Sequence, residues 1–85
     1  MEKYRIEVKK SAVKELSGIP QKDLRLVLAR IQSLAGNPRP PGSQKLSGQE
    51  KYRVRQGRYR ILYQIEDDLL VVYIVKIAHR RDVYR

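Results

Sequence analysis

The sequence has no cysteine, tryptophan or phenylalanine, and a single histidine, His79. Without cysteine there is no disulfide framework, thiolate metal site or thiol nucleophile. One histidine excludes a His-rich metal site and a two-histidine acid–base pair. No apolar run reaches the roughly 18 residues that span a membrane, and the N-terminus has no signal-peptide pattern. Acid is scarce: nine Asp and Glu stand against 19 Lys and Arg, a net charge of +10. A length of 85 residues suits one domain, 1–85, and not two. These absences lead us to expect a small soluble cytoplasmic domain with no membrane role. The positive surplus calls for a polyanionic partner: nucleic acid, an acidic protein or an anionic membrane surface, the last disfavoured because the helices show core stripes and not basic amphipathic faces.

What is present is a core. Ile, Leu and Val supply 24 of the 85 residues, far more than a disordered basic tail carries. All six aromatics are tyrosines, each with an apolar ring and a polar tip. Residues Tyr4 to Lys9 alternate as a half-buried strand does. Ser11 is placed to cap a short helix carrying Val13 and Leu16, with Gly18 stopping it. Pro20 suits the first turn of a second helix. Leu24, Val27, Leu28, Ile31, Leu34 and Ala35 then form a stripe of helical period. Gly36 to Glu50 is rich in proline and glycine and reads as a loop. The period then changes. Lys51 to Gln56, Arg58 to Ile65 and Leu69 to Ile77 read as strands, with turns at Gln56-Gly57 and Asp67-Asp68. The last strand is apolar on both faces and is expected to be central. The expected fold is α+β: two N-terminal helices on one face of a mostly antiparallel four-stranded sheet, in the order β-α-α-β-β-β.

Taking Gln56-Gly57 as a two-residue hairpin loop pairs Arg55 with Arg58 and Arg53 with Arg60. Tyr52, Val54, Tyr59 and Ile61 then share the helix-covered face, and the four arginines share the other. Like charges directly opposite one another destabilise a sheet. The patch is either a solvated strand face or an anion site, since arginine matches phosphate bidentately. With Asp67-Asp68 as the second loop, the arginine face continues as Leu62, Tyr73, Val75 and Ile77. Tyr73 beside arginines is either a stacking platform for a base or a packing residue. A slip of one residue would dissolve the arrangement. His79 is either an incidental surface residue or an acid–base group next to the patch.

The stretches NPRPPGSQKLSG and YRVRQGRYRILYQI, with the ending AHRRDVYR, resemble the RelE/ParE superfamily of type II toxin–antitoxin toxins. The resemblance covers nearly the whole chain and implies a single RelE-like toxin domain with a microbial-ribonuclease-like fold. RelE-type members cut mRNA in the ribosomal A site; ParE-type members poison DNA gyrase. The positions matching the RelE-type nuclease residues are Arg53 and Arg55, then Arg60, Arg80 and Tyr84. The HRRDVYR ending favours the RelE branch. The best-known member has lysines where Arg53 and Arg55 stand, and arginine effectively cannot act as a general base.

The function this implies is an endoribonuclease with no cofactor and no metal, in which the ribose 2′-OH attacks the adjacent phosphorus. Arg60 and Arg80 would stabilise the phosphorane charge. Arg53 and Arg55 would position the backbone, Tyr84 would orient the 2′-OH or stack on a base, and His79 would be the acid–base residue. Lys45, Lys51, Arg58, Arg81 and Tyr73 would contact RNA or ribosome. Implied partners are the ribosome with its mRNA and a cognate antitoxin, acidic and partly disordered. The alternatives are a gyrase inhibitor of the ParE type and a basic nucleic-acid-binding domain without catalysis.

Overall fold

The computed structural model describes residues 3–46 and 50–79. Alternation in the first strand, β1 (Arg5–Val8), turns Ile6 and Val8 towards the core. The chain then forms α1 (Lys10–Ser17) and α2 (Gln21–Ser33). Ser11 does not cap α1: Lys9 holds that position, with no side-chain cap bond. The core position on α1 goes to Ala12, fully buried, while Val13 is 51% exposed. On α2, Val27 and Ile31 are buried, and Leu34 just beyond the helix joins them. Leu28, at the edge of that stripe, stays 39% exposed.

Four further strands follow: β2 (Gln44–Lys45), β3 (Lys51–Gln56), β4 (Tyr59–Glu66) and β5 (Val71–His79). They make one sheet of order β1-β5-β4-β3-β2. β1 runs parallel to β5, and every other pairing is antiparallel. Among the described residues the sheet therefore has five strands where four were expected. The addition, β2, has only two residues, too few to display a period of two, and it lies in the segment rich in proline and glycine. The expected class holds: two helices pack on one face of a mostly antiparallel sheet.

The registers differ from those expected. β3 and β4 are joined by Gly57-Arg58, so Gln56 pairs with Tyr59, Arg55 with Arg60, and Arg53 with Leu62. Gly57, at the first loop position, has φ of 60°, which suits a loop that needs glycine there. The shift is two residues, so each strand keeps its faces. Arg58, however, leaves the strand for the turn. Between β4 and β5 the loop is four residues, 67–70, and Glu66 pairs with Val71. An irregularity at Leu62/Tyr63 leaves Val75 as the extra residue, since Tyr63 pairs with Ile74 and Leu62 with Lys76. This slip of one residue carries Ile77 from the expected arginine face into the core, opposite Ile61. β1 ends at Val8, so the end of β5 lacks that neighbour. Glu15 of α1 takes its place, accepting the Ile77 backbone N–H at 2.8 Å and the Lys76 ammonium at 3.1 Å.

Tyr63 is the largest fully buried side chain. Its hydroxyl donates to the Pro38 carbonyl at 2.7 Å, and its ring stacks on Tyr52 at 5.8 Å. These contacts tie the proline-rich loop to the core. A clasp on the outside does the same. Arg39 donates to both Asp67 carboxylate oxygens, at 3.2 and 2.9 Å, and to the Tyr52 hydroxyl at 3.1 Å. The Tyr4 hydroxyl donates to Asp67 at 2.7 Å. The Arg39 guanidinium, aided by Tyr4, holds the Asp67 carboxyl down at about 2.

Candidate nucleic-acid interface

The face of the sheet away from the helices carries the basic residues of β3 and β4. Side-chain alternation places Arg53 and Arg55 of β3 beside Arg60 of β4 on that face, with Arg55 directly opposite Arg60. Their neighbours Val54 and Ile61 point the other way and are fully buried. The core thereby fixes which way the arginines point. Gln44 of β2, opposite Arg53, accepts a hydrogen bond from its guanidinium. Arg58 joins from the turn. Arg55, Gly57, Arg58, Tyr59 and Arg60 line a recess of about 60 Å³ at the hairpin tip. Among the described residues, none of those lining it is acidic. A dense positive cluster on a rigid hairpin can receive a phosphate through several forked donors.

The remaining expected residues separate. Lys51 lies on the same face, opposite Gln64 of β4. Lys45 sits on the sheet edge, opposite Tyr52, and forms an ion pair with Glu50 at 3.5 Å. Tyr73 is on the open face but is not flanked by arginines: its neighbours across the sheet are Gln64 and Glu7. The expected pairing of Arg60 with Val75 does not occur, and Arg60 faces Ala78. His79 pairs with Tyr59, which packs against the core, so His79 belongs to the helix-covered side. The two rings meet edge to face at 5.0 Å. His79 thus lies across the sheet from Arg53, Arg55 and Arg60, and with Gln56, Gly57, Arg58 and Tyr59 it lines a recess at the hairpin end. Arg80, Arg81 and Tyr84 lie outside the described residues. Sequence reasoning missed Gln44, the partner of Arg53, and the Arg39 clasp. The loop segment holding both carries no periodic signal.

Over residues 6–84 the sequence matches the family model described as the ParE toxin of type II toxin–antitoxin system, parDE. It is 31% identical over 87 residues to the putative toxin RelE1 of Methanocaldococcus jannaschii, a match covering 98% of this chain and 97% of that protein. The fold is similar to that of a chain in the archaeal RelE–RelB complex from Pyrococcus horikoshii OT3. The TM-score there is 0.83 at 31% identity, covering 92% of this chain and 96% of that one. It is also similar to a chain of the RelBE2 toxin–antitoxin complex from Mycobacterium tuberculosis, with a TM-score of 0.84 at 26% identity and 94% of each chain covered. These similarities define a class, the toxins of type II toxin–antitoxin systems. Within that class the chain belongs to the RelE family of the RelE/ParE superfamily.

Proposed function

We propose that the chain is a ribosome-dependent endoribonuclease that cleaves mRNA in the ribosomal A site and so stops translation. The observation that carries this reading is the open face itself. Arg53, Arg55 and Arg60 converge there, Arg58 adjoins them, and Arg55 opposes Arg60 at a cost to stability. A solvated strand face gains nothing from that arrangement, whereas a phosphate site does. In the reaction the 2′-oxygen bonds to phosphorus and the 5′-oxygen leaves, giving a cyclic phosphate and a 5′-hydroxyl. Arg60 and Arg80 stabilise the phosphorane charge, a contribution of about 3–4 kcal/mol per well-placed donor. Arg53 and Arg55 hold the flanking backbone, and Tyr84 orients the 2′-OH. The arginines keep their protons at neutral pH. The proton of the 2′-OH therefore goes to a group of the ribosome or the RNA, since His79 lies across the sheet from Arg53, Arg55 and Arg60, and water or the same surroundings return a proton to the leaving 5′-oxygen. Lys45 and Arg81 contact ribosomal RNA phosphates, and Lys51 meets an RNA phosphate on the open face. The partner is an antitoxin, as the RelB-containing complexes of the relatives suggest; the basic surface suits an acidic chain that folds as it binds. The working compartment is the cytoplasm, and no helix among the described residues is long and apolar enough to cross a membrane.

The name of the matching family model favours a second reading, inhibition of DNA gyrase. Adding purified protein to a translation reaction and, in parallel, to a gyrase supercoiling assay separates the two. The nuclease reading predicts shortened mRNA and unimpaired supercoiling. Intact mRNA with blocked supercoiling would overturn it.

A further inference from the structure

The open face has a second half that the arginine cluster does not use. One rung across it reads Lys51 on β3, Gln64 on β4, Tyr73 on β5 and Glu7 on β1. With strands about 4.8 Å apart, these four positions span about 14 Å. Beside the rung lies an open concavity of about 510 Å³, lined by Arg5, Glu7, Gln64, Glu66, Leu69 and Tyr73, with Val71 as its floor. Leu69 is 72% exposed there. Gln64 stands four residues from Arg60 on the same strand and the same face, about 13 Å away along β4. The surface between them is continuous through Leu62.

The chemistry changes along this path. Near the hairpin tip it is all guanidinium, suited to phosphate. At the rung a cation remains on one side in Lys51, followed by a carboxamide, an aromatic ring and a carboxylate. That order fits one nucleotide lying across the sheet. Lys51 meets its phosphate, and Tyr73 offers a face to stack on, which accepts any base. Gln64 can donate and accept at a base edge. Glu7 and Glu66 only accept, so they favour cytosine, whose N4 amine projects as a donor, over uracil, whose one edge donor, N3–H, lies between two carbonyl oxygens that a carboxylate repels. Arg5 donates to one Glu7 oxygen at 2.7 Å, fixing that carboxylate and leaving its other oxygen to face a ligand. Two carboxylates at this end also repel a phosphate, so the base and not the backbone enters the concavity.

We propose that the Lys51–Gln64–Tyr73–Glu7 rung and its adjoining concavity form a nucleobase subsite. It holds an unpaired cytosine in preference to uracil, on the RNA strand whose phosphate occupies the arginine recess. The proposal rests on the arginine face being an RNA site, and it adds a specificity determinant a few nucleotides from the cut.

The test is binding of labelled r(C)4 and r(U)4 to the full chain at one fixed salt concentration, read by fluorescence anisotropy. The parent should bind r(C)4 at least about fivefold more tightly than r(U)4, the scale of one base-edge contact. Glu7→Gln should bring that ratio towards one with little change for r(U)4. Tyr73→Ala should weaken both by about 5- to 150-fold, the range of one lost stack. Tyr73→Leu keeps an apolar side chain in the central strand and guards against misfolding; it should weaken both as well. Equal affinity of the parent for the two oligonucleotides would overturn the proposal, as would unchanged binding by a folded Tyr73→Leu variant. Binding is read without cleavage, so the two readings fail separately. Uncut mRNA with a cytosine preference would remove the nuclease and keep the subsite. Cut mRNA with no preference would do the reverse.

Discussion

Replacing Arg55 by Gln should make the protein more stable and less able to bind RNA. Arg55 sits directly opposite Arg60, with Arg58 around the same small recess. Like charges directly opposite on a sheet cost roughly 0.2–1 kcal/mol. Glutamine keeps the first part of the aliphatic stem and a polar end, and removes the repulsion. For a domain of this size 1 kcal/mol moves the melting temperature by about 4–8 °C, so the expected rise is roughly 1–8 °C. The gain is electrostatic and should shrink at 1 M salt, where screening acts over about 3 Å in place of about 10 Å at 0.1 M. RNA affinity should move the other way. One lost phosphate contact lowers the slope of log affinity against log salt by about 0.7 for a single strand. Thermal melts at both salt concentrations, with RNA titrations over a salt series, measure all three effects. A lower melting temperature for Arg55→Gln, or a gain indifferent to salt, would refute the charge-strain argument. An unchanged salt slope would refute the phosphate role of Arg55.

Three other outcomes are expected. Tyr63→Phe removes the hydroxyl that donates to the Pro38 carbonyl inside the core, and should cost about 1–2 kcal/mol by denaturant melting. Gly57→Ala forces a Cβ into a backbone with φ of 60°, where nothing lies within 4 Å, so its cost is purely conformational, about 1–2 kcal/mol, and Gly57→Asn should cost less. The Asp67 carboxyl is held at about 2 in the fold against an ordinary value of 3.8. Its lowered value means that the clasp stabilises fully above about pH 4 and is lost as pH falls through 2. Asp67→Asn should therefore melt below the parent at pH 7, and the two curves should converge near pH 2.

Much of this was legible in the residues, for physical reasons that can be named. The change of period at Lys51 separates the helical half from the strand half. The core preference of Val54 and Ile61 dictates that Arg53, Arg55 and Arg60 turn outward. A shift of two residues leaves those faces intact, so the arginine face survives a wrong loop assignment. The dipeptides Gln56-Gly57 and Gly57-Arg58 both offer glycine to a two-residue loop, and the local sequence does not choose between them. The bulge at Val75 was not legible, because every residue from Val71 to Val75 tolerates either face. That single extra residue moved Ile77 into the core and put His79 on the helix side. The Arg39 clasp joins residues far apart in the chain, and no local pattern announces such a contact.

The central claim is that the arginine face performs RNA chemistry on the ribosome. It is tested most directly by mapping mRNA 3′ ends after incubating translating ribosomes with the parent and with Arg60→Ala, the variant first shown to be folded. The account predicts discrete cuts within A-site codons for the parent and loss of those cuts, by at least about 100-fold in rate, for Arg60→Ala. Equal cutting by both proteins, or no cutting by the parent, would contradict it.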